Sequence, residues 1–138
     1  MTTIRTAPAA SPSTRAGGLL RPVLRLDAVV TAANGAAYLL AAPLLDGPLG
    51  LSAGLLRGVA VFLLGYAGLV WLVAARRRIS APAVEAVITA NVLWAVGSVV
   101  AAVVGVGSLT ALGATWLVLQ AGVVAAFAVL QLVGLRRR

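Results

Sequence analysis

LDAVVTAANGAAYLLAAPLL, Leu26–Leu45, decides the fold. A helix needs about 20 apolar residues to cross a hydrocarbon core of about 30 Å, and this run supplies them. A secretory signal would need only about 7–15. A retained transmembrane helix is therefore expected. The run also holds Asp27, Thr31, Asn34 and Tyr38, spaced by four, three and four residues. At 100° per residue they fall within about 60° of arc, a single polar stripe. In hydrocarbon such a stripe should face protein, because an unsatisfied polar group there costs several kcal/mol. One helix with one polar stripe implies neighbours.

Three more apolar runs follow, at about 55–75, 83–104 and 109–135, after a first at about 24–45. A spanning segment must satisfy its backbone internally, so the many valines form helix here and not strand. Connections carry turn and cap residues: DGPLGLS (Asp46–Ser52) with Ser52 as N-cap, RRRISAP (Arg76–Pro82) with Ser80 as N-cap and Pro82 in the first turn, and GVGSLT (Gly105–Thr110) with Ser108 as cap. Short connections make successive helices antiparallel neighbours. The expected fold is all-α, a four-helix transmembrane bundle over residues 21–138. Residues 1–20, MTTIRTAPAASPSTRAGGLL, have no period and read as a disordered cytoplasmic tail.

The composition agrees. The 138 residues are 62% hydrophobic and 10% charged, with mean hydropathy +1.07. A soluble domain averages about 25% charged, so this chain lacks the polar surface to coat a globule in water. Net charge is +8, and all eleven basic residues are arginine. Arg5, Arg15, Arg21, Arg25, Arg76, Arg77, Arg78, Arg136, Arg137 and Arg138 fall on one side of a four-span arrangement, and Arg57 on the other. That bias puts both termini in the cytoplasm. The arginines flank apolar runs and form no nucleic-acid motif, so anionic lipid headgroups are the expected partner, with no nucleic acid.

With neither Cys nor His, the chain cannot form a disulfide, a thiolate nucleophile, a His-ligated metal centre or an imidazole triad. Three acids, Asp27, Asp46 and Glu85, leave little for hydrolysis. We expect no enzyme, no metal and no cofactor.

An echo runs through the chain. DAVVTA (27–32) matches EAVITA (85–90) at an offset of 58, and the arginine triplets recur at an offset of 60. Two parallel helical hairpins are one reading and chance is the other. Under the first, Glu85 and Thr89 repeat the start of the Asp27 stripe. Asn91 and Ser98 lie on another face, and Gln120, Phe127 and Gln131 share a face with Gly113. Asn34, Asn91 and Gln120 fall at mid-span and could form one amide layer. Asp27, Thr31, Asn34, Glu85, Thr89, Asn91 and Gln120 are the candidate intramembrane polar site. Intramembrane acids are functional candidates by default. The plainer reading is local, with Asp27 at a helix start beside Arg21 and Arg25, and Glu85 beside Arg76–Arg78.

Gly54, Gly58, Gly65 and Gly68 lie on one side of the second run and suit close helix packing, within the bundle or between copies. Trp71 suits an interfacial belt, Trp116 fits one marginally, and Trp94 sits mid-span, where it packs between helices or faces lipid.

LDAVVTAANGAAYLL, LLRGVAVFLLGYAGLVWLVA, NVLWAVGS and LQAGVVAAFAVLQLVGLRR together resemble a group of small bacterial integral membrane proteins with four predicted spans. A fainter likeness, in size and topology, is to the DoxX-like membrane proteins. The resemblance implies a bacterial cytoplasmic membrane and carries no assigned activity. Two functions remain in view: a non-catalytic protein acting by helix-mediated association with itself or another membrane protein, or a small transporter or channel for a proton, cation or small hydrophobic molecule.

Overall fold

The computed structural model describes residues 12–138, which form α1 (Pro12–Leu49), α2 (Ala53–Ala75), α3 (Ala81–Val104) and α4 (Ala111–Arg136). Each helix is long and apolar enough to cross a membrane. The protein is an all-α bundle of four candidate spans, as the four apolar runs predict.

The ends of α1 differ from the sequence reading. The helix begins at Pro12, so residues 12–20 are helical where composition gives a tail, and residues 1–11 lie outside the described residues. Leu20 is fully buried and packs against Gly134 of α4. This tertiary contact outweighs the weak helix propensity of the Gly/Pro-rich segment. At its far end α1 continues through Asp46, Gly47 and Pro48 and turns only at Gly50, where φ is +73°. A side chain at Gly50 would also overlap the Ser108 carbonyl, so the turn requires glycine on two counts. Pro22, Pro43 and Pro48 all lie inside α1. Proline survives in membrane helices where neighbours satisfy the carbonyls it frees. At the C-terminal end of α1, where the last carbonyls have no intrahelical partner, Thr110 donates its hydroxyl to the Pro48 carbonyl at 2.6 Å and its N–H to the Leu49 carbonyl at 3.2 Å.

Two of the three caps form as the residues predict. Ser52 accepts from the Leu55 N–H at 3.1 Å, and Ser80 from the Ala83 N–H at 3.4 Å, with Pro82 in the first turn. The third is corrected. Thr110, not Ser108, caps α4, accepting from the Gly113 N–H at 3.0 Å. Gly105 and Gly107 take positive φ and carry the chain through the loop, which leaves Thr110 at the helix start.

Packing joins α1 to α2, α3 to α4 and α1 to α4, while α2 and α3 barely meet. Glycines make the close approaches. Gly35 of α1 sits against Ala60, Leu63 and Leu64 of α2, and Gly113 of α4 sits against the Leu49 carbonyl. The glycines singled out on α2 do none of this. Gly54, Gly58, Gly65 and Gly68 are exposed, and a Cβ at any of them would meet nothing within 4 Å. Packing within the bundle is therefore not their role.

Two apolar cores result. One, around Leu20, Leu24, Val70, Ala74 and Val84, lies towards the arginine-rich end. The other, around Ala42, Leu49, Leu56, Ala60 and Leu63, lies towards the opposite end. The polar side chains and a cavity occupy the space between them.

Candidate functional site

Asp27 is the centre of the first polar cluster. It is fully buried. Its Oδ2 accepts from the Asn91 amide at 2.8 Å and the Gln131 amide at 2.6 Å, and its Oδ1 from the Thr31 hydroxyl at 3.1 Å. All three groups can donate, so both carboxyl oxygens have partners. Asn91 also donates to Gln131 Oε1 at 3.1 Å, and its own Oδ1 accepts from the Tyr66 hydroxyl at 2.9 Å. Tyr66 shares that proton with the Val87 carbonyl at 3.2 Å. Thus α1, α2, α3 and α4 each contribute one or more side chains to a single knot, and every polar atom in it has a partner.

Arg21 and Arg25 do not pair with Asp27. Arg21 instead donates to the carbonyls of Ala74, Arg76 (2.8 Å) and Arg77 (3.3 Å), closing the C-terminus of α2. Those carbonyls carry the negative end of the helix dipole and lack intrahelical partners, so a guanidinium suits them. Arg25 lies over the Trp71 ring, 5.7 Å from its centroid. Trp71 is thus a partner for arginine.

The second cluster lies towards the opposite end. Trp116 donates its indole N–H to the Tyr38 hydroxyl at 2.6 Å, and Tyr38 donates to Gln120 Oε1 at 2.9 Å. Asn34 stands beside the same hydroxyl. The amide layer of Asn34, Asn91 and Gln120 does not form. Asn91 is drawn to the carboxylate, since a bond to a charged acceptor is about twice as strong as one between neutral groups. Gln120 pairs with a hydroxyl nearer its own depth.

Glu85 and Thr89 are not part of either cluster. Both are exposed, and the Thr89 hydroxyl bonds back to the Glu85 carbonyl at 2.9 Å. The reason lies in register. Burial on α1 and α3 corresponds at an offset of 60, pairing Leu24 with Val84, Asp27 with Val87 and Tyr38 with Ser98. The DAVVTA echo has an offset of 58. Two residues are about 200° on a helix, so the second carboxylate points away from the bundle.

Between the clusters lies a cavity of about 430 Å³. Thr31, Asn34, Asn91 and Gln120, from the predicted site, line it together with Tyr66 and Trp94. Asp27 does not reach it, being screened by Thr31 and Asn91, and no charged side chain lines it. On the α2–α3 side, where the backbones stand apart, the Phe62 and Trp94 rings stack at 5.6 Å and bridge the gap. The α1–α4 side is different. These helices touch at Leu20–Gly134 and at Leu49–Gly113. Between those points the cavity-lining Ala33, Ala37, Leu119 and Val123 are exposed. The bundle therefore opens sideways, at mid-span, towards acyl chains.

Sequence reasoning missed Tyr66, Gln131 and Trp94. Gln131 was visible as an amide in an apolar helix on the face of Gln120. Trp94 was marked only as a mid-span ring that packs between helices or faces lipid, and nothing marked Tyr66 beyond its being an amphipathic aromatic deep in a span.

Fold and site together define a multi-pass membrane protein with an intrabundle cavity. No model of a known protein family, no curated protein and no solved structure matches the chain, so no family is identified.

Proposed function

We propose that this is a non-catalytic protein of the bacterial cytoplasmic membrane that holds a small, uncharged, lipid-soluble molecule inside its bundle, taken up laterally from the bilayer. Both termini face the cytoplasm, by the arginine bias, and the arginine-rich end rests on anionic headgroups. The observation that carries this reading is the cavity: about 430 Å³, free of charged lining, with an apolar flank open between α1 and α4. Ligand sites commonly occupy about 300–1,000 Å³, with mostly apolar walls and a few placed polar groups. The same walls disfavour the proton or cation path, because Asp27 is sequestered from the cavity with its acceptors occupied.

Energy transfer tests it. In bilayers containing Trp71→Phe protein, a small neutral naphthalene should accept excitation from Trp94 and Trp116 saturably. Ala33→Phe with Ala37→Phe, which fills the window, should abolish the saturable part. Partitioning that never saturates, and is equal in both proteins, would overturn the reading.

Association has its own supporting observation, the open glycine face of α2. Gly58→Leu and Gly65→Leu should then convert a homo-oligomer to monomer in detergent without unfolding it. An unchanged oligomeric state would set that reading aside.

A further inference from the structure

We infer that the cavity recognises a hydroxyl group carried on a flat, uncharged, lipid-soluble ring system, and that Asn34 and Gln120 are the residues that bind it. The inference rests on the ligand-holding reading above and names the ligand's chemistry.

Asn34 and Gln120 line the cavity from α1 and α4, the two helices that flank its opening, and both are half-buried. One side chain gathers them. Tyr38 donates its hydroxyl proton to Gln120 Oε1 at 2.9 Å, and Asn34 stands beside the same hydroxyl. With its proton spent, the Tyr38 oxygen can take only an N–H from Asn34, so the Asn34 carbonyl stays free. The Gln120 NH₂ is free as well, because the carbonyl of that amide is the group that meets Tyr38. Neither free group is enclosed by protein, since the Trp94 indole nitrogen is the one buried side-chain nitrogen or oxygen without a partner among the described residues. An acceptor and a donor thus stand near each other on the cavity wall, just inside the opening.

The Asp27 knot shows the contrast. In hydrocarbon an unsatisfied polar group costs several kcal/mol, and the Asn91 and Gln131 amides are accordingly paired. Two half-paired amides at a lateral opening call for a guest that completes them. A hydroxyl donates and accepts through one atom, so it can serve the Asn34 carbonyl and the Gln120 NH₂ together. An ether or ketone would leave the Asn34 carbonyl unpaired, and a hydrocarbon would leave both groups so. Charge is excluded by the absence of any charged lining group, since an unpaired ion in so apolar a site would bear its full desolvation cost. The ring follows from the α2–α3 wall. Phe62 stacks on Trp94 at 15° between ring planes and on Tyr66 at 10°, and a flat ring system extends such a set.

The test compares 2-naphthol, 2-methoxynaphthalene and 2-methylnaphthalene on the full chain in lipid nanodiscs, with affinities corrected for bilayer partitioning. The first donates and accepts, the second only accepts, and the third does neither. A net hydrogen bond of about 0.5–1.5 kcal/mol corresponds to roughly a three- to tenfold preference, so 2-naphthol should exceed the ether by that factor and the hydrocarbon by more. Asn34→Leu keeps the side chain's size and removes its amide. It should erase the preference of 2-naphthol over the ether. The probe ratios on the unaltered chain keep the test independent of how the variant folds. Equal affinities for 2-naphthol and the ether there would overturn the hydroxyl specificity, and a preference that survives Asn34→Leu would overturn the role of Asn34. Saturable binding of none of the three would overturn the ligand-holding reading itself.

Discussion

At the residue scale, Asp27 and Glu85 show how little a carboxylate's neighbours in sequence reveal. Both begin an apolar run beside arginines, yet one is fully buried on three donors and the other is exposed. Asp27→Asn preserves shape and can turn its carbonyl to Asn91 and Gln131 while Thr31 accepts from its NH₂. It should cost about 1–2 kcal/mol, the difference between charged and neutral acceptors. Asp27→Leu leaves both amides unpaired in the bundle and should cost about 2 kcal/mol more. Unfolding in mixed micelles measures both, and equal stability of the two variants would contradict the knot. Glu85→Gln in the same assay should stay within about 0.5 kcal/mol of the native chain. Arg21→Met removes the cap on α2. Exchange of amide hydrogens in the last turn of α2 and the 76–78 segment should quicken, with a loss of about 1 kcal/mol.

At the scale of elements, each helix is fixed by length and apolarity, while its seams are fixed by a few close contacts. The α1–α4 seam is pinned at the loop end by Thr110, which caps α4 and also bonds the end of α1. Thr110→Val keeps the volume and loses both bonds, for about 1–2 kcal/mol. Gly113→Ala should cost more, since a methyl there overlaps the Leu49 carbonyl, and it should force the seam apart. Between the pins the seam is bridged by the Asp27–Gln131 and Tyr38–Gln120 hydrogen bonds, and the exposed cavity lining between those bridges has a reagent-level signature. In this cysteine-free chain, Asn34→Cys should resist a charged thiol reagent in the membrane and react with it once the protein is unfolded. Rapid labelling by the charged reagent would mean an aqueous path.

At the scale of the whole molecule, the arrangement is a ring of helices with three packed seams and one bridged by side chains. Phe62, Tyr66, Asn91 and Trp94 hold α2 to α3 across that bridge. Tyr66→Phe should therefore loosen the α2–α3 seam more than its single hydroxyl suggests, seen as faster proteolysis in the 76–80 connection. The side on which each connection lies can be read by labelling. Arg77→Cys and Arg137→Cys should react from one face of the membrane and Ser108→Cys from the other, with the arginine face cytoplasmic. Labelling of all three from one face would break the four-span topology.

The spans, their antiparallel order, the Ser52 and Ser80 caps and the polar stripe from Asp27 to Tyr38 were legible in the residues, because membrane length, backbone satisfaction and capping are local constraints. Five of the seven candidate polar residues also come together. Asp27, Thr31 and Asn91 meet, and Asn34 and Gln120 line the cavity with Thr31 and Asn91. Tertiary structure alone decided the rest. It chose the offset of 60 over 58, which turned Glu85 outward. It gave Asp27 amides in place of arginines, and sent Arg21 to the carbonyls of α2. It took close packing away from the glycines of α2 and gave it to Gly35, Gly113 and Gly134. Each of these depends on the rotation of one helix against another. In hydrocarbon that rotation is set by side-chain fit and a handful of hydrogen bonds between distant residues, and apolarity, which all four helices share, cannot specify it.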